Sequence, residues 1–103
     1  MRDERHNFVV EKLEEMLIEM EESYANRELI RKDIIRQYRD LEHLVKYLPD
    51  DFTGKDWMEK NLVKQESLLG EMEEASKAQR KYIDQCVKSS ASITYAIDLH
   101  AQD

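Results

Sequence analysis

Leu48-Pro49-Asp50-Asp51-Phe52-Thr53-Gly54-Lys55-Asp56-Trp57 is the stretch on which the fold of this chain turns. It holds the only proline and one of the two glycines among 103 residues. Pro49 has no N–H and cannot continue a helix, so a helix running into it stops at about Leu48. Thr53 followed by Asp56 has the spacing of a capping box, which opens a second helix near Gly54. On either side lie long runs of charged, apolar and helix-favouring residues. The expected fold is all-α: an antiparallel two-helix hairpin of long coiled-coil-like helices. The helices are expected at about 4–48 and 54–100, with the turn at 49–53, in a single domain spanning 1–103.

A heptad frame fits both arms. In the first, a carries Val10, Leu17, Tyr24, Arg31, Tyr38 and Val45, and d carries Leu13, Met20, Arg27, Ile34, Leu41 and Leu48. Only Arg27 and Arg31 break the apolar pattern. In the second, a carries Leu62, Leu69, Ser76, Ile83, Ser90 and Ile97, and d carries Met58, Gln65, Met72, Gln79, Cys86, Ile93 and His100. At g, Val9, Met16, Ile30 and Leu44 widen the first stripe, and Leu68, Ala75, Tyr82 and Ala96 widen the second. That is wider than a two-stranded seam needs. Each arm of about 45 residues is roughly 65–70 Å long. A bare hairpin of that length cannot cover such stripes, so a second copy or another helical protein is expected to complete a four-helix arrangement.

Folding the arms about a point between Phe52 and Thr53 sets residue i beside residue 105−i. Arg27 and Arg31 then lie near Ser76, Gln79, Glu73 and Glu74, and acidic and basic blocks face one another. The arginines are expected to snorkel and pair with Glu73 or Glu74. Gly70, inside the second helix, marks either a bend or a close helix approach.

Composition removes several function classes. Lys and Arg number 16 against 23 Asp and Glu, a net charge of −7, which disfavours nonspecific binding to nucleic acid. No apolar run approaches membrane-spanning length, so no membrane insertion is expected, and Met1-Arg2-Asp3-Glu4 is no signal peptide. A cytoplasmic location is expected, with any export by a route that needs no cleaved signal. One cysteine excludes an internal disulfide. His6, His43, His100 and Cys86 lack the spacing of a zinc site, and only Asp40-x-x-His43 approaches a di-iron motif. No catalytic constellation or phosphate loop can be assembled, so neither cofactor nor enzymatic activity is expected. Cys86 at d reads as a small core residue.

Two resemblances bear on function. His43-Leu44-Val45-Lys46 is similar to the His-x-x-Lys of histidine phosphotransfer domains, with Tyr47 where that family usually has glycine; an ordinary surface histidine is the preferred reading. The whole chain resembles the WXG-type hairpins of Gram-positive type VII secretion: about 100 acidic residues, two long helices and a tryptophan at the turn. It looks still more like the small helical targeting partners of LXG-domain toxins. It departs from the WXG order at Gly54-Lys55-Asp56-Trp57, and Tyr95-Ala96-Ile97-Asp98 is one residue short of the export signal Tyr-x-x-x-Asp/Glu. The resemblance implies a non-enzymatic accessory or chaperone that binds a helical toxin domain, with or without a second small helical protein. The alternative is a structural coiled-coil subunit or phage-type inhibitor acting by surface occupancy. Candidate partner-binding residues are Val9, Met16, Leu17, Met20, Tyr82, Ile83 and Ala96, together with Phe52 and Trp57, which either staple the turn or anchor a partner.

Overall fold

The computed structural model describes residues 2–102. Two helices make up almost all of it: α1, Glu4–Tyr47, and α2, Lys55–Gln102. The fold is a helical hairpin, and no strand occurs among the described residues. Its contacts divide into two units. The turn unit is Asn26–Lys77, and the terminal unit pairs the residues up to Ala25 with those from Ala78 onward. Among the described residues no helix is long and apolar enough to cross a membrane.

The start of α1 is capped by its own sequence. The Asp3 carbonyl accepts the Asn7 N–H at 3.0 Å, and Asp3 Oδ1 accepts the His6 N–H at 2.8 Å. A side-chain acceptor there satisfies one of the orphan donors of the first turn. The same bond, ahead of smaller effects, holds the Asp3 carboxyl below its ordinary range.

The end of α1 and the start of α2 are built differently from the capping box expected of Thr53 and Asp56. Leu48 N–H tightens onto the Val45 carbonyl at 3.2 Å, and Pro49 then leaves the helix. Phe52 N–H returns to the Pro49 carbonyl at 3.0 Å, and Lys55 N–H to the Phe52 carbonyl at 3.1 Å. Gly54 O accepts the Met58 N–H at 3.0 Å, which makes Gly54 the N-cap. The capping register is thus one residue later than the box requires, and no hydrogen bond joins Thr53 to Asp56. Gly54 has φ of +92°, a conformation that costs a residue with a Cβ roughly 1–2 kcal/mol.

Lys55 closes the turn. It occupies an a position and is buried, and its Nζ donates to the Leu48 carbonyl at 2.8 Å and meets Asp50 Oδ1 at 3.0 Å. A cation there satisfies a terminal carbonyl of α1 and lies at the negative end of that helix. Asp50 is fully solvent-exposed, so the ion pair adds little.

Burial follows the heptad frame. The buried apolar residues are Val10, Val45, Leu62 and Ile83, all at a, and Ser90 at a is buried with them. Most other a and d positions are half-buried, while Arg27, Leu41, Ile93 and His100 are exposed. In the turn unit the Ser76 hydroxyl donates to Glu28 Oε1, one residue from the expected register. In the terminal unit Arg80 bridges Glu21 and Asp84, the pair that the register sets side by side. Gly70 is exposed, and a Cβ built on it meets nothing within 4 Å. It therefore marks no close approach.

Two stability predictions follow from these contacts. Lys55→Met strips the Leu48 carbonyl of its charged donor and is expected to cost about 1–3 kcal/mol in urea unfolding, whereas Asp50→Asn stays within about 1 kcal/mol. Gly70→Ala is expected to stabilise the protein by up to about 1 kcal/mol, because it adds helix propensity where there is room.

Candidate protein-docking surface

The two flanks of the seam differ in chemistry because of which residues fill e and g. In the turn unit the e positions are Glu28, Ile35 and Glu42 on α1 and Glu59, Glu66 and Glu73 on α2. The g positions are Ile30, Gln37 and Leu44 on α1 and Asn61, Leu68 and Ala75 on α2. One flank therefore carries five carboxylates and the other no charge. In the terminal unit, g carries Val9, Met16 and Ser23 on α1 and Tyr82, Ser89 and Ala96 on α2, again without charge.

The acidic flank is where the internal polar contacts concentrate. Arg31 forks onto Glu28, with Nη2–Oε2 at 2.8 Å, rather than onto the expected Glu73 or Glu74. The reason is reach: Glu28 lies one turn away on the same helix, and Lys77 already meets Glu73 at 3.8 Å and Glu74 at 3.3 Å. The Arg31 hydrogen bonds, with that of Ser76, hold the Glu28 carboxyl at about 2, well below its ordinary 4.5. In the terminal unit Arg80 makes two bonds to Glu21, at 2.7 and 2.8 Å, and its guanidinium lies 5.1 Å from the Tyr24 ring centre. That pairing lowers the Glu21 pKa and raises that of Arg80. Arg2 forks onto Asp98, with Nη2–Oδ2 at 2.9 Å, and lowers its pKa.

The uncharged flank of the turn unit is grooved. One groove of about 390 Å³ is lined by Ile34, Gln37, Tyr38, Leu41, Gln65, Leu68, Leu69 and Met72. A second, of about 350 Å³, shares Leu41 and Gln65 and adds Val45, Trp57, Met58, Asn61 and Leu62. Both linings include g residues and neither includes an e residue. Leu68, 57% exposed, lines the first groove, and Leu44, 64% exposed, occupies a g position on the same flank. Tyr38 presents its ring here while its hydroxyl meets Glu42 Oε2 at 3.4 Å; burial above all, then Glu66 and Glu42, raises its pKa.

The expected partner-binding residues divide accordingly. Tyr82 is 63% exposed, and Val9 and Ala96 are also exposed, while Met16 is half-buried beside them in sequence register. Leu17 and Met20 are half-buried at a and d. Ile83 is only 1% exposed, so it is a core residue and offers no surface to a partner. Phe52 and Trp57 are both exposed, and no ring contact joins them, which removes the staple expected of an aromatic pair. Trp57 instead forms a wall of the second groove. The trough was not anticipated from the sequence; the absence of charge at g was its available signal.

Other candidate chemistry does not assemble. Among the described residues no group of three or more His, Cys, Asp or Glu is placed to hold a metal ion. His6 and His100 meet edge to face at 5.7 Å, and His6 Nδ1 stands 3.6 Å from Asp3 Oδ1, too far for a hydrogen bond. His43 is exposed at f. Cys86 is a free, half-buried thiol, and its polar interaction with Tyr82, one turn away, raises the tyrosine pKa. No protein-family model matches this chain, and no curated protein or solved structure is significantly similar to it.

The depressed Glu28 pKa predicts an acid-sensitive contact. Stabilisation from a carboxylate whose folded pKa lies below its unfolded one is present above the unfolded value and is lost as pH falls through the folded value. Chemical denaturation of wild type and Glu28→Gln between pH 6 and about 2 checks this. The wild-type advantage is expected to be constant above roughly 4.5 and to vanish towards 2.

Proposed function

We propose that this chain is a non-enzymatic protein-binding module that docks a helical segment of another protein against the uncharged g positions of its terminal unit. The observation that carries the proposal is the exposure of large apolar side chains there, Tyr82 at 63% above all, with no charged residue at the same heptad position. Unpartnered apolar surface of this kind marks interaction sites. An aromatic ring with a polar tip suits the rim of such an interface. A helical partner fits because the surface runs along a helix pair and can receive residues spaced i, i+3, i+4 and i+7. The resemblance to small type VII secretion hairpins supports the helical domain of an LXG-type toxin as that partner, with this chain as its targeting subunit or chaperone.

Co-expression with an LXG-type helical domain, followed by co-purification, tests the proposal. Tyr82→Asp and Val9→Asp place a charge in the docked face and are expected to abolish capture while circular dichroism stays unchanged. Leu29→Asp, on the outer f position, is expected to keep it. Capture that survives both flank substitutions, or an absence of capture by wild type, sinks the proposal.

A further inference from the structure

The trough in the turn unit calls for a different occupant from the one proposed for the terminal unit, and the charge distribution indicates which. We propose that the uncharged flank of the turn unit binds the same flank of a second copy, with α1 of each protomer lying over α2 of the other, to close a four-helix core. The inference shares with the proposed function the premise that uncharged flanks are docking faces, but purified protein alone tests it.

Three observations support a second copy. A chain of net charge −7 repels itself, so self-association must use a face that keeps its carboxylates apart. Joining two uncharged flanks does this, because Glu28, Glu42, Glu59, Glu66 and Glu73 of each protomer stay on the far side of its own seam. An isologous contact is also self-complementary in polarity: the exposed Leu44 and Leu68 of one copy meet a groove lined by Ile34, Leu41, Leu69 and Met72 of the other.

Charge then selects the sense of pairing. Over the turn unit, α1 carries Arg27, Arg31, Lys32, Arg36, Arg39 and Lys46 against Glu28, Asp33, Asp40 and Glu42, an excess of two positive charges. α2 carries Asp56, Glu59, Glu66, Glu71, Glu73 and Glu74 against Lys55, Lys60, Lys64 and Lys77, an excess of two negative charges. With the far-side glutamates counted, setting α1 over α2 brings opposite signs together; with them left out, α1 carries +4 and α2 +1, and setting α1 over α1 still places the two most positive helices together. In the favoured sense the two turns point the same way. Isolated surface pairs are weak, but such a pattern chooses orientation between otherwise similar packings.

Sedimentation equilibrium of the full chain gives the first reading. Wild type is expected to be a dimer. Leu68→Glu buries two carboxylates in a symmetric interface and is expected to weaken it by about 100-fold or more, with helical content unchanged. Leu44→Glu is expected to do the same. Leu29→Glu, at an f position with 62% exposure, is expected to leave the dimer intact. A spin label on Thr53→Cys, in a Cys86→Ser background, reads the pairing sense, and a short label-to-label distance between protomers is expected. A wild type that stays monomeric, a dimer indifferent to Leu68→Glu and Leu44→Glu, or labels held far apart would each overturn the proposal.

Discussion

Two helices side by side can hide only the line along which they touch. Everything else about this chain follows from that constraint. Each helix offers one stripe of a and d residues to the other, and even there Val10, Val45, Leu62 and Ile83 alone are buried among the described apolar side chains. A globular domain of similar length would have a core several layers deep. Here the core is one row, so residues at g lie at the edge of the seam with their apolar surface in water. What fills e and g therefore decides whether a flank is a solvated exterior or a face for another helix.

The distribution of glutamate makes that decision. At e it places carboxylates that arginine, serine and tyrosine side chains engage, as in Glu28 with Arg31 and Ser76. At g it is absent. A flank rich in ionised groups resists burial because each charge must lose its water. An uncharged flank carries no such penalty. The same device that keeps one side solvated thus leaves the other free to associate, and it does so without adding residues to either helix.

Much of this was legible in the sequence, because a helix repeats and its repeat can be read. The single proline located the turn, and every buried apolar side chain fell at a, with Ser90 beside them, although Arg27, Leu41, Ile93 and His100 of the same frame are exposed. The misreadings arose where one residue of register mattered. Thr53 and Asp56 had the spacing of a capping box, but Gly54 takes the cap, with its positive φ and the bonds to the Pro49 and Phe52 carbonyls shaping the turn one residue later. Lys55 carries no sequence signal for its role; only the folded turn brings the Leu48 carbonyl to its Nζ. Arg31 was assigned a partner across the seam, whereas Glu28 was closer along its own helix. Ile83 was assigned to a binding face, because periodicity identifies the apolar stripe but not how deeply the opposite helix covers it.

The clip at Lys55 also bears on the order in which the chain folds. It joins residues only seven apart, whereas Glu21 and Arg80 are 59 apart and Arg2 and Asp98 are 96 apart. Closing the longer loop of Glu21 and Arg80 from an open chain costs about 2 kcal/mol more entropy than closing the clip. A formed turn unit shortens that search, since the two arms of the terminal unit then start from neighbouring points. The hairpin is thus expected to zip from its turn, with substitutions at Lys55 slowing folding and substitutions at Arg80 or Asp98 mainly hastening unfolding. Stopped-flow kinetics showing the opposite partition would place the nucleus at the chain ends.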